Sequence, residues 1–279
     1  MNHFYLEPPN SSEDRLFLTS ILGAGTSQYE EADFIISTKM PFGCHDDFKI
    51  QNIIDSYIKN TKKILIFLVT DLEEEFVIPE NVFLLRTSLL KSKKKPREEI
   101  LPYIWEGLSK SFEPLMDGDM PRVGFCGLLS HPSRVILLDE IKRSGSIETD
   151  FIIRNQFWGG KPHDSQMVHE FNENIKNNHF QACNRGAGNY SMRFYQTLSA
   201  GRIPILINTD TSLPFEDKID WQNIIIMSDT HEEVIYKIEK LHSSGKIIDR
   251  QIKCREVYEL FFEPNSFFKN LIQNYSFNH

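Results

Sequence analysis

Residues 183–193, Cys-Asn-Arg-Gly-Ala-Gly-Asn-Tyr-Ser-Met-Arg, combine the residue types that hold an anion. Gly186 and Gly188 let backbone N–H groups come close to a ligand, and a helix predicted to open at about Ser191 adds the partial positive charge of its N-terminus. Arg185 and Arg193 bracket the loop with planar forks that match phosphate oxygens. A diphosphate fits this set. Asn189 and Ser191 suit a helix cap as well as a ligand contact. The glycine spacing is not the dinucleotide fingerprint, and no Lys-Ser/Thr pair follows as in a P-loop, which argues against nicotinamide enzymes and nucleoside triphosphatases.

Downstream, Tyr195 and Gln196 lie on the same helix, and the apolar run 203–207 leads into Thr209, Asp210 and Thr211. Open α/β sheets place ligands at the carboxyl ends of strands, so these three residues are expected to line the site, although Asp210 also suits a turn. A group-transfer reaction at a diphosphate needs a proton acceptor as well. Glu7, His45, Asp46 and Asp47 stand near strand ends in the first half, and His45, Asp46 and Asp47 are the preferred candidates because a histidine and two carboxylates share a glycine-containing loop. The same three residues also read as the start of a helix. No metal site is expected: Asp117-Gly-Asp119 reads as a solvated turn, and His163, His169 and His179 lack metal-ligand spacing. Phe157-Trp-Gly-Gly160 suits core packing or an aromatic wall beside a nucleotide base.

The elements that must position these residues follow from short β-branched and aromatic runs at 34–37, 64–69, 82–85, 123–126, 151–153, 203–207 and 224–227, which read as buried strands. Helical spacing between them at 49–60, 132–143, 191–200 and 231–242 implies mostly parallel sheets covered by helices. Two prolines and an Asp-Gly pair interrupt the pattern within 111–121. The expected division is 1–118 as a first domain, 119–265 as a second that carries the loop 183–193, and 266–279 as a helix returning to the first.

The 279 residues suit two such domains, and 40% hydrophobic with 25% charged residues is ordinary globular composition. A net charge of -8 argues against nucleic acid as a partner. The basic run Lys91, Lys93, Lys94, Lys95 and Arg97 reads as a solvated loop or a peripheral contact with anionic lipid. Four scattered cysteines without a CxxC pair suit reduced thiols, and no signal peptide or membrane-spanning run is read, so a cytoplasmic location is expected.

With these residues in view, the chain resembles the exostosin-like glycosyltransferases, family 47. The resemblance rests on Arg-Gly-x-Gly-Asn-Tyr-Ser-x-Arg-Phe-Tyr from Arg185, Leu-Ser-x-Gly-Arg-Ile-Pro-Ile from Leu198, and then Asp210, Leu-Pro-Phe and Ile-Asp-Trp, ending at Trp221. Weaker matches lie at 123–127, Arg134, 151–154 and 31–34. The resemblance implies a GT-B fold, two Rossmann-like domains with mostly parallel sheets facing a central cleft. It also implies metal-independent, inverting transfer from a nucleotide sugar such as a UDP-sugar to a glycan or other hydroxyl acceptor. Donor-binding residues on this reading are Arg154, Arg185, Gly186, Gly188, Asn189, Ser191, Arg193, Gln196, Thr209, Asp210 and Thr211, and no cofactor is needed beyond the nucleotide-sugar co-substrate. Gln196 departs from the pattern, which carries a glutamate there to hold the donor ribose. That departure leaves two alternatives beside the transferase: a non-catalytic scaffold binding sugar nucleotide or glycan, and a transferase using GDP-fucose or another purine donor.

Overall fold

A computed structural model describes residues 4–8, 28–39, 43–161 and 163–274. They form an α/β fold with two sheets, each of five parallel strands. The chain divides into two units, one of residues 1–105, 210–214 and 261–279, the other of 106–209 and 215–260. The first break between the units falls at 105/106.

The first unit contains β1 (Phe4–Leu6), β2 (Phe34–Ile36), α1 (Asp47–Asp55), β3 (Lys63–Leu68), β4 (Val82–Arg86) and β5 (Glu98–Ile100). Its strands stand in chain order, β1-β2-β3-β4-β5. Strands flanked on both sides and covered on both faces are apolar throughout, which is why β3 reads Lys-Ile-Leu-Ile-Phe-Leu. One face, with Ile35, Ile64 and Ile66, packs on Ile50 and Ile54 of α1. The other face meets a helix from the far end of the chain: the Phe268 ring stands edge-on to Phe4 at 5.0 Å, and Leu271 adjoins Leu65 and Phe83. Arg86 of β4 is 1% exposed and is neutralised by Glu98 of β5 at 2.8 Å.

The second unit contains β6 (Arg122–Leu128), α2 (Pro132–Ser144), β7 (Glu148–Arg154), α3 (Ser165–Lys176), β8 (Phe180–Ala182), α4 (Met192–Ser199), β9 (Ile203–Ile207), β10 (Ile226–Ser228), α5 (His231–Ser243) and α6 (Ile247–Val257). A π-helical turn, Tyr258–Phe262, leads to α7 (Pro264–Asn274), which carries Phe268. The strand order is β10-β9-β8-β6-β7. The chain places β7 on one side of β6 and then crosses back to lay β8, β9 and β10 on the other. In open parallel sheets such a reversal opens a crevice at the carboxyl ends of the two strands beside it, here β6 and β8. Pro132 at the first turn of α2 and left-handed Gly145 (φ 67) at its end fix the helix that follows β6.

Candidate nucleotide-binding site

The loops leaving β6 and β8 meet at the reversal. Arg134, on the first turn of α2, donates through Nε and Nη2 to the Asn184 carbonyl, each at 3.2 Å, and through Nη1 to the Leu128 carbonyl at 2.8 Å and to Ser130 Oγ at 3.1 Å. Asn184 answers with its own side chain, donating to Ser133 and accepting the Ile207 N–H. The backbone N–H of Cys183 bonds Ile205 of β9 at 2.8 Å. Three strand ends are thus tied to one polar junction, and the loop 183–191 leaves from it.

Arg193, on the first turn of α4, is buried. Its Nη1 donates to the Ala182 carbonyl at 2.9 Å and its Nη2 to the Cys126 carbonyl at 2.7 Å, joining the ends of β8 and β6, while the guanidinium lies 4.3 Å from the Phe125 ring centre. Gly127 makes room for it, since a β-carbon there would stand 2.7 Å from Nη2. The fork that Arg193 offers in the sequence is therefore engaged by carbonyls. Arg193 is thus a scaffold between the two strand ends that keeps its charge.

Every acceptor that Arg134 and Arg193 reach among the described residues is a carbonyl or the Ser130 hydroxyl, and none is a carboxylate. Burial pushes the Arg134 guanidinium down to about 10, and the neighbouring Arg193 charge pushes the same way. Burial also lowers Arg193. The Cys183 thiol is pushed up to about 11 by burial, against the pull of Arg193, so it stays neutral at ordinary pH. Two positive charges held out of water, with no carboxylate bonded to them among the described residues, form a standing field that favours an anion.

The remaining loop residues are arranged around that field. Arg185 is half-buried and its Nη2 donates to the Ala187 carbonyl at 3.2 Å. Gly186 is buried against Arg134, where a β-carbon would stand 3.1 Å from Nη2, and Gly188 is buried as well. Ser191 is the N-cap of α4 by backbone geometry, but its side chain makes no capping bond. Asn189 does not cap either. It exchanges two bonds with Thr209, whose hydroxyl donates to Asn189 Oδ1 at 2.5 Å and whose carbonyl accepts from Nδ2 at 3.0 Å. Gln196 is 3% exposed, its Nε2 donates to the Glu106 carbonyl at 3.3 Å, and its Oε1 has no hydrogen-bond partner among the described residues.

The other sequence candidates stand elsewhere. Arg154, at the end of β7, pairs with Glu170 of α3 at 2.5 Å and is thereby neutralised. Asp210 and Thr211 group with the first unit: the Asp210 carboxylate accepts from the Ser92 N–H at 3.1 Å, and Thr211 bridges Leu90. Asp210 takes φ 61, the left-handed conformation that a turn residue adopts. His45, Asp46 and Asp47 are exposed at the start of α1, where Asp46 accepts from the Lys49 N–H at 3.0 Å as N-cap and Asp47 from the Phe48 N–H at 2.8 Å. In the basic run Lys94 pairs with Glu99 and Arg97 donates to the Ile78 carbonyl. Arg134 and Asn184 are the residues that loop composition alone undervalues. A strand, a short polar loop and a basic residue on the next helical turn were the available signal.

No family model matches the chain. Exostosin-1 of Drosophila melanogaster is 42% identical over 55 residues, 20% of this chain and 7% of the fly protein. The Exostosin-1 homolog of Caenorhabditis elegans is 28% identical over 93 residues, 33% of this chain and 24% of the worm protein. The matched stretches are thus a minor part of both relatives. Among solved structures, S. aureus TarM in complex with UDP has a TM-score of 0.44 at 13% identity, over 88% of this chain and 51% of that one. A β-glucosyltransferase that modifies DNA, solved with and without uridine diphosphoglucose, has a TM-score of 0.41 at 13% identity, over 97% and 99%. Among the described residues no three His, Cys, Asp or Glu side chains converge as metal ligands, and no helix is long and apolar enough to cross a membrane.

Proposed function

We propose that this chain is a glycosyltransferase that moves a sugar from a UDP-sugar to a hydroxyl of a glycan acceptor, with inversion at the anomeric carbon and without a metal ion. The observation that carries the reading is the pair of buried guanidiniums, Arg134 and Arg193, which have no carboxylate acceptor among the described residues where the strand order reverses. A nucleoside diphosphate is the anion that suits this place: its charge meets the field, and the loop N–H groups and Arg185 supply direct contacts. The partial likeness to exostosins, 42% over 55 residues, supports a sugar nucleotide as that diphosphate.

In the proposed reaction the acceptor oxygen bonds to the anomeric carbon as the bond to the diphosphate breaks, and the electron pair leaves with UDP. Arg134, Arg193 and the start of α4 stabilise that departing charge. The hydroxyl proton goes to a base, and we assign His45 to this role, since Asp46 and Asp47 already accept backbone N–H groups. Gln196 offers its unpartnered Oε1 to a donor hydroxyl.

Calorimetric titration with UDP, GDP and a panel of UDP-sugars tests the reading. UDP should bind, and Arg185→Ala should weaken it about tenfold or more, the value of one charge-assisted contact, while unfolding stays unchanged. If neither nucleotide binds the folded protein, the donor reading fails. Gln196, neutral where the resembled family carries a glutamate, favours a second reading as a binding scaffold. UDP release in the presence of acceptor, abolished by Arg185→Ala, would reject that scaffold.

A further inference from the structure

β7 is an edge strand, and the chain leaving it makes an unusual turn. Trp158, Gly159 and Gly160 have φ values of 57, 64 and 78 in succession, and His163 follows at 63. A bulky residue in this region is a genuine outlier, and such strain persists only where the surroundings impose it. Here they do. A β-carbon on Gly159 would stand 2.8 Å from the Met167 sulfur, and one on Gly160 would stand 2.3 Å from Gln156 Oε1. The turn is anchored before it by Arg154, held by Glu170 and Met167, and after it by Asp164, which caps α3 by accepting from the Gln166 and Met167 N–H groups.

The product of this strain is exposure. Phe157 is 59% and Trp158 42% exposed, although core packing was the simpler expectation for both rings. Neither makes a ring or cation contact among the described residues, so the backbone is bent at a cost to hold apolar faces in water. The same turn carries flat polar groups with donors and acceptors: the Gln156 amide lies against the Gly160 backbone, and Arg154, paired with Glu170, lies against that of Gly159. The charges cancel locally, unlike those at the crevice. Ring faces next to amide and carboxylate edges recognise a sugar, whose C–H face stacks on an aromatic ring while its hydroxyls bond to the polar edges.

We propose that the turn Phe157–Gly160 is a saccharide platform that holds a neutral sugar ring of the acceptor glycan. An open surface suits a ring within a chain better than a nucleobase, which needs its own edge contacts. Only the word acceptor rests on the transferase reading. Saccharide binding itself does not.

The test is a glycan array probed with the full chain, carrying neutral glucan, chitin, mannan and galactan oligosaccharides and acidic ones, alongside UDP titration of the same samples. Wild type should retain at least one neutral class. Trp158→Ala and Phe157→Ala should each weaken that signal tenfold or more and leave UDP affinity within twofold. Trp158→Phe should keep most of the binding, because it keeps a stacking face. Trp158→Gly relieves the left-handed strain, so it should melt no lower than wild type and still lose the glycan. The proposal is overturned if no neutral glycan is retained, if the Ala variants bind glycan as wild type does, or if they lose UDP in parallel, which would assign the rings to the nucleobase. Glycan retention that depends on Trp158 in a protein that binds no UDP would sink the transferase reading and leave the platform standing.

Discussion

The two sheets have the same number of strands and the same parallel pairing, yet they treat a buried arginine in opposite ways. In the first, strands run in chain order and Arg86 meets the carboxylate of Glu98 on the next strand. In the second, the order reverses between β8 and β6, and among the described residues the arginines at that point bond only to carbonyls and a hydroxyl. A neutralised arginine is a structural device whose charge is cancelled at short range. An arginine bonded to carbonyls keeps its charge and projects it. On the proposed reading the contrast separates a sheet that cancels its buried charge from one that offers it to an anion, and it can be broken at several points.

The largest effect is expected from Glu98→Gln. It leaves the Arg86 charge buried without its partner, which should cost about 3–5 kcal/mol in urea unfolding. UDP affinity of the protein that remains folded should be unchanged. Arg193→Ala should cost about 2–4 kcal/mol, because it strands the Ala182 and Cys126 carbonyls and removes a packed side chain. Unlike the first substitution, it should also lower UDP affinity at least tenfold. Equal losses of UDP affinity in both variants would dissolve the distinction between the sheets. Next comes Gly201→Ala, at the end of α4. A β-carbon there would stand 2.2 Å from the Phe112 ring, and φ is 62, so overpacking and strain together should cost roughly 2–3 kcal/mol, read by thermal melting.

How far these features could be read beforehand differs between the units for physical reasons. β3 and β9 are legible because strands covered on both faces carry near-continuous apolar runs, 64–68 and 203–207 here. β2 is as short as β1 and β5, but its Phe-Ile-Ile is apolar and β-branched, whereas β5 reads Glu-Glu-Ile and β1 Phe-Tyr-Leu, so the first sheet reads as three strands where five exist. α1 stops at Asp55, short of the apolar spacing that suggested a helix to 60. The glycines of 183–191 mark the loop, but they say nothing of where Arg193 points. That depends on Gly127 and Phe125, which lie more than sixty positions earlier in the chain. Likewise the exposure of Trp158 follows from a left-handed backbone set by Met167 and Gln156, not from its own side chain.

The smallest effect expected is a pH dependence confined to the second unit. His179, immediately before β8, is fully buried, and both ring nitrogens have fixed roles: Nδ1 accepts the Arg122 N–H at 3.0 Å, so Nε2 carries the proton and donates to the Met116 carbonyl at 3.0 Å. Burial holds its pKa below the ordinary value of 6.5, outweighing the help of Met116. Between the folded and unfolded values the unfolded chain binds the extra proton. The stability is therefore complete above about pH 6.5 and is lost as the pH falls from there through the folded value. A proton on Nδ1 would also leave the Arg122 N–H without its acceptor, roughly 1 kcal/mol for one hydrogen bond. Melting curves between about pH 8 and 5 should thus slope downward on acidification, and His179→Gln, which can still accept and donate, should flatten them. The β6 and β8 starts are what His179 joins, so a loss of UDP binding that tracks the same acid transition would tie the crevice to this end of its two strands. An unchanged slope in the variant would move the acid sensitivity elsewhere.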